Sequence, residues 1–229
     1  MERRGRVTAS RVTSESTSRR DRRVREVHDR ILAAATERFA AHGVESVKVD
    51  EICHAADIAQ KTFFNHFPSK QHLLREIAEG FLQQLLAILE AARHEGGTTA
   101  QQLERFFALV ATEVERGGPM QRSFVMEVIR LVHDTPSNVE QSRRLHQAFG
   151  ALLRDGVRAG DTTRAYPVPV LSEVVVGTFV TLMLNWLGIE GYPFRARATA
   201  MARFLAEALR ARKGRVAPAK RRIRAAVSG

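Results

Sequence analysis

ILAAATERFAAHGVESVKVDEICHAADIAQKTFFNHFPSKQHLLREI, residues 31–77, is the stretch that decides the fold. Together with Val27, the apolar residues Ile31, Ala35 and Phe39 recur at every fourth position, and Gly43 stops the helix they define. A second, short helix reads from Val49 to Ala56, with Asp50 and Glu51 in its first turn, where carboxylates suit the positive end of the helix dipole. Asp57 makes the turn. A third helix, Ala59 to His66, ends at Phe67-Pro68-Ser69, because proline disfavours helical backbone in the residue before it. Ser69 then caps a long fourth helix from Lys70 to about Arg93, whose inner stripe is Leu73, Ile77, Phe81 and Leu85. Phe39, Ile52, Ile58, Phe63, Phe67 and Leu74 fit as the core of this small bundle.

Working outward toward the C-terminus, Glu95-Gly96-Gly97 ends the fourth helix, and Thr98 or Thr99 caps a fifth that carries Leu103, Phe106, Phe107 and Val110. Gly117-Gly118-Pro119 closes it. A sixth helix spans Met120 to His133, and Ser137 with Glu140 reads as a capping box opening a seventh, which runs to Gly160. The eighth, roughly Val170 to Leu187, is apolar almost all round, as a helix buried on several sides must be. The ninth runs from Phe194 to Arg212. No strand alternation appears, so the fold class is all-α with about nine helices.

The chain has 229 residues, 44% of them hydrophobic, enough for a real core, and a formal charge of +11 that is concentrated at its ends. Residues 1–23 hold eight arginines against three acids, and residues 210–229 hold eight Lys or Arg and no acid. Such stretches, without apolar periodicity, read as disordered basic tails able to touch a polyanion. The division expected is an arm at 1–23, a small helical unit at 24–70, a larger helical unit at 71–212 and a tail at 213–229. One cysteine, Cys53, excludes an intramolecular disulfide and fits a reducing cytoplasm. The basic start is followed by no apolar core of a signal peptide. The greasiest run, Val174 to Ile189, is interrupted by Gly177, Thr178, Thr181 and Asn185 and is short of the ~20 apolar residues that span a bilayer. No membrane partner is expected.

The landmarks Phe39-Ala40 with Gly43, then Val49, Ile52, Ala56 and Ile58, then Thr62, Phe64, His66-Phe67 and Ser69-Lys70, then Leu73-Leu74, fall in one order and spacing. In these the segment closely resembles the DNA-binding unit of the TetR family of bacterial helix-turn-helix regulators. The resemblance covers about a fifth of the chain. It implies that Ala59 to His66 is the recognition helix, lying in the major groove as such helices do. Gln60 and Lys61 are then base-edge donors, with Asn65 one turn on, while Phe64 replaces the family's usual tyrosine and can pack on a thymine methyl or the sugar wall. Thr62, His66 and Lys70 match the family's phosphate-contacting positions, and Lys48 adds a further candidate. The chain departs from the pattern at Lys48 and Ala59, where a Ser or Thr cap is common, and at Asp57, which replaces a turn glycine.

The same resemblance implies a homodimer on a palindromic stretch of double-stranded DNA, repression by occlusion, and release by a small apolar ligand. For the ligand the candidates are Phe107, Phe124, Phe149, Thr178, Met183 and Asn185, from the greasy later helices. For the dimer they are Val176, Phe179, Met201, Leu205 and Leu209. Cys53 beside His54 has no acid–base partner placed by sequence, and the spacings of His42, His54, His66 and His72 build no i, i+4 metal pair. No cofactor, metal or enzymatic activity is expected. Two rivals stand beside this reading: an enzyme, for which no convergent acid, base and nucleophile set is visible, and an architectural protein that coats DNA through its tails without sequence preference.

Overall fold

The computed structural model describes residues 8–132 and 136–211; side chains are described outside 8–18 and, Arg122 and Val125 apart, outside 118–139. The described residues form eight α-helices: α1 Thr8–His42, α2 Val49–Ala55, α3 Gln60–His66, α4 Lys70–His94, α5 Thr99–Val132, α6 Pro136–Ala159, α7 Val168–Gly188 and α8 Phe194–Leu209. Among them there is no strand, only an isolated bridge between Thr162 and Arg210.

The all-α reading stands, with eight helices for nine, because α5 runs unbroken through Gly117, Gly118 and Pro119. Proline inside a helix removes one backbone bond, to the residue four back, here Glu115, at a cost of about 3 kcal/mol. The packing of α5 along α4 and α8 offsets that cost. The N-terminus also differs from expectation: residues 8–23 are helical, continuing α1. They contain no proline or glycine, and they extend a helix already nucleated by Ile31, Ala35 and Phe39, so each added residue gains a bond without a new nucleus. Residues 1–7 and the basic tail at 213–229 lie outside the described residues.

The caps show why the boundaries fall where they do. Ser69 accepts from the His72 backbone N–H at 3.3 Å and starts α4 as expected. Thr98 accepts from the Gln101 N–H at 3.3 Å, so Thr98, rather than Thr99, caps α5. Thr99 turns instead to Asp161, which accepts its N–H at 3.1 Å and its hydroxyl at 2.7 Å, a carboxylate at the positive end of α5. Gly156 leaves room for this contact; a methyl group there would overlap the hydroxyls of Thr99 and Thr162. α6 begins one residue earlier than the capping-box reading placed it, at Pro136, so Ser137 lies inside the helix rather than at its N-cap. Glu140 pairs with Arg143. Proline suits a first helical position because its missing N–H would have no partner there.

Two buried clusters hold the fold. The smaller gathers Ile31, Phe39, Ile52, Phe63, Phe67 and Leu73 from α1 to α4. It reaches past residue 70 to Ile77, so packing passes from one cluster to the other along α4 rather than at its start. The larger is built on Phe106, Phe107, Phe149 and Phe179, with Phe106 lying 5.1 Å from Phe149 and 5.5 Å from Phe179, ring edge to ring face. Such pairs contribute about 0.5–1.5 kcal/mol each beyond their buried area. α7 has 21 residues, and its most apolar 18-residue stretch has a mean hydropathy of 1.7, which by length and composition is enough to cross a membrane, contrary to the short run read from sequence. Its inner side, Leu171, Val175, Phe179 and Leu182, is instead part of the larger core.

Candidate nucleic-acid interface

The chemistry of this interface begins with one buried side chain. Phe63 is the buried residue of α3, and its ring meets Phe64 edge-on at 5.3 Å and Phe67 at 5.8 Å. With Phe63 turned inward, the spacing of a seven-residue helix puts Gln60, Lys61, Phe64 and Asn65 in solvent. Phe64 is 50% exposed, a large apolar group left open on a polar face. Thr62 and His66 are half-buried at its flanks.

The turn before α3 is fixed by backbone bonds, Asp57 N–H to His54 at 3.2 Å and Ile58 N–H to Cys53 at 3.0 Å. Asp57 sits at φ 52°, the left-handed region that a glycine would enter without strain. Ala59 is the N-cap of α3 and gives no side-chain bond. At α2 the Lys48 N–H donates to the Glu51 carboxylate at 3.3 Å, half of a capping box, while the Lys48 side chain is exposed.

Two of the residues expected at DNA are already engaged. The Gln60 amide donates to the Asp50 carboxylate, tying the start of α3 to the start of α2. Lys70 donates through Nζ to the Val47 carbonyl at 2.7 Å and lies 5.5 Å from the centre of the Phe39 ring. It fastens α4 to the loop before α2, a structural role that sequence reading missed. Also missed was His28, which stacks on Phe67 at 4.6 Å, lies 5.7 Å from His66 and bonds to Glu76 of α4. Its signal in the sequence was a polar residue on the edge of the apolar stripe of α1. Burial, and after it the neighbouring His28 ring, hold the His66 imidazole below its ordinary value.

Cys53 is buried, and its thiol is pushed up by desolvation and then by the Asp50 carboxylate, which keeps it protonated and unreactive. His146 is half-buried, and His133 lies outside the described residues.

The other expected sites are placed differently. Phe107 and Phe149 are fully buried against Phe106. Thr178 donates to the Val174 carbonyl at 2.8 Å, and Met183 and Asn185 are half-buried. The side chain of Phe124 lies outside the described residues. The structure has a groove elsewhere, between α5 and the α7–α8 turn, and none of these residues lines it. Of the expected dimer residues, Val176, Phe179, Leu205 and Leu209 are at most 5% exposed inside the chain's own core, and Met201 is half-buried against it. The apolar residues of α7 and α8 that face solvent are Val170, Val174, Val180 and Leu184, with Phe204. Because α7 is apolar on nearly every side, its sequence does not reveal which side turns inward.

Residues 31–77 match the family described as bacterial regulatory proteins, tetR family. The chain is 30% identical over 149 residues to the HTH-type transcriptional regulator TcmR of Streptomyces glaucescens, an alignment spanning 64% of this chain and 66% of TcmR, just under two thirds of that protein. It is 24% identical over 164 residues to the HTH-type transcriptional repressor KstR of Mycolicibacterium smegmatis, across 71% and 78% of the two chains. Its fold is similar to that of a TetR-family regulator from Pectobacterium atrosepticum, with a TM-score of 0.67 at 18% identity over 83% of this chain and 97% of that one. Helix-turn-helix, polar α3 face and likeness agree: residues 31–77 are a DNA-binding unit of the TetR family of bacterial regulatory proteins, and the chain as a whole is similar to members of that family in sequence and in fold.

Proposed function

We propose that this regulator is a homodimeric repressor that binds a palindromic operator through α3 of each copy and is released when its helical body takes up a small ligand. The observation that carries the reading is the exposed row Lys61, Phe64 and Asn65 on a helix anchored by buried Phe63. Lysine and asparagine at the start and second turn of a recognition helix are donors matched to guanine and adenine edges. In this reading 24–70, with the first turns of α4, binds DNA, and the rest of the body to residue 212 regulates and dimerises. KstR, a relative by sequence, is named a repressor, which favours that sign.

Dimerisation is supported by the apolar side of α7 that its own chain leaves open, where Val174 is 50% and Leu184 57% exposed, and by Phe204 of α8 at 66%. A second copy related by a twofold axis covers such a face and spaces the two α3 helices for successive major grooves. Ligand then acts by favouring a spacing that does not fit the operator. The basic ends add sequence-independent affinity through counterion release, and the working compartment is the cytoplasm.

Selection of binding sites from random double-stranded DNA tests this. A twofold-symmetric motif bound by a particle of twice the 25.6 kDa chain mass is the expected result. Binding without sequence preference would instead identify an architectural protein.

A further inference from the structure

We infer that the groove between α5 and the α7–α8 turn is a binding site for a small aromatic anion, a flat apolar body carrying one carboxylate or sulfonate. As a regulatory site it rests on the ligand-responsive reading above; as a binding site it stands on its own geometry. The groove holds about 480 Å³, within the range of small-molecule sites. Its apolar walls are Val114 of α5, Trp186 in the last turns of α7, and Tyr192 and Phe194 where the chain turns into α8. Trp186 and Phe194 meet edge to face at 5.9 Å, so the aromatic wall is held in shape before anything binds.

The charges decide the polarity of the ligand. Arg195 grips Glu115 with both ends of its guanidinium, Nε to Oε1 at 2.6 Å and Nη2 to Oε2 at 2.5 Å, and Nη2 also donates to Thr112 at 3.3 Å. These bonds hold the Glu115 carboxyl below its ordinary range, so it is ionised at neutral pH and cancels Arg195. Arg122 is different. It is half-buried, and its Nη2 donates to the Leu187 carbonyl at 3.1 Å, an acceptor with no net charge. Among the described residues no carboxylate pairs with it; Glu190, beside Gly191 of the groove, is exposed and bonded to none of the lining groups. A guanidinium has five donors, and one carbonyl leaves most of them unused. The groove therefore carries the charge of Arg122 against aromatic walls, and the ligand that satisfies both is an aromatic anion held in the bidentate manner.

The place of the groove also gives it a means of action. α5 contributes Glu115 and Arg122 from either side of Pro119, where the helix lacks a backbone bond, and α7 contributes Trp186 two residues beyond Leu184 of the open apolar face. A ligand bridging Arg122 and Trp186 links the proline-containing stretch of α5 to the helix proposed to dimerise.

The test uses the full chain and two dyes, 8-anilinonaphthalene-1-sulfonate and its uncharged counterpart N-phenyl-1-naphthylamine. Trp186 is the single tryptophan and lines this groove, so energy transfer from it reports bound dye, and the substitutions below separate this groove from other sites. Expected are saturable quenching of Trp186 by the sulfonate and a preference of about tenfold for the sulfonate over the uncharged dye. Arg122→Gln should abolish the preference, and Arg122→Lys, which keeps the charge, should retain most of it while circular dichroism shows both proteins folded. Equal affinity for the two dyes, or a preference unchanged in Arg122→Gln, overturns the site. So does loss of binding in Leu184→Glu, which would put the dye on the outer face of α7. If the dye binds as expected yet leaves affinity for the selected DNA unchanged, the site stands and the ligand-released reading fails.

Discussion

The two cores of this molecule are built alike and finished oppositely. Each is centred on phenylalanines, Phe39, Phe63 and Phe67 in the smaller and Phe106, Phe107, Phe149 and Phe179 in the larger. Around the smaller, α3 turns Gln60, Lys61 and Asn65 outward; around the larger, α7 turns Val170, Val174 and Leu184 outward. An outer face of donors asks for a polar partner such as base edges and phosphates, and an outer face of valine and leucine asks for another apolar surface. The same arrangement of buried rings can thus serve either kind of partner, and the outward residues make the difference.

The comparison breaks most violently at its centres. Phe63→Ala removes a fully buried ring and should destabilise the smaller core by about 3–5 kcal/mol, seen as an early unfolding step in urea and loss of DNA binding. Phe204→Ala, at 66% exposure, should leave the unfolding free energy of the monomer in urea within about 0.5 kcal/mol. If the two substitutions cost the same, burial in this fold is not what separates core from face.

The next largest effect separates the two sides of α7. Leu184→Glu should give a folded chain that scatters light as a monomer, because an open apolar face is now charged. Val176→Glu, 4% exposed, should instead unfold the body, since it buries an unpaired charge. A folded, monomeric Val176→Glu would restore the interface expected from the family resemblance.

On the polar side, Lys61→Ala should cost about 1–3 kcal/mol at the selected operator and relax preference at particular base pairs, measured by competition binding. Gln60→Ala is a less clean probe because it also frees Asp50, an acid facing the same region. Smaller again is the gain from a missing cap. Ala59 has φ −75° and ψ 150°, the extended backbone that an N-cap adopts, so Ala59→Ser should raise stability by about 1 kcal/mol in thermal melts.

What was legible in the sequence follows the same divide. In the smaller core a period of four, a turn at Asp57 and the stop at Pro68 fix each helix, and Phe39, Ile52, Phe63, Phe67 and Leu74 are all buried as read. The recognition-helix residues came from the family likeness rather than from periodicity, and Gln60, Lys61, Phe64 and Asn65 among them are exposed. Periodicity tells nothing where every side is apolar, and that is why Val176 and Phe179 were taken for interface while Leu184 was passed over. Nor does it see contacts between distant segments. Lys70 to Val47, Arg195 to Glu115 and Thr99 to Asp161 join residues far apart in the chain, and no local pattern marks them. The proline of α5 was read as a stop because local cost was visible and the packing along α4 and α8 was not.

His66 offers the finest test, because it sits where the smaller core meets its polar face. Its imidazole is held below the ordinary value of about 6.5 by burial and by the nearby His28 ring, which is itself bonded to Glu76. The unfolded chain therefore binds a proton more readily than the folded one. Above about pH 6.5 both states are neutral at this position and stability does not change; as the pH falls below that value the unfolded state gains protons first and stability declines, until the folded imidazole titrates too. In urea titrations across this range, His66→Gln should flatten the decline. DNA should act with the opposite sign. If His66 faces a phosphate as the family likeness implies, the protonated ring is the form the complex prefers, so affinity for the operator should tighten on acidification while the free protein weakens. Equal pH dependence of operator affinity in the natural chain and in His66→Gln would leave the stability effect intact and remove His66 from the DNA face, shrinking that face to Lys61, Phe64 and Asn65 with their neighbours on α3.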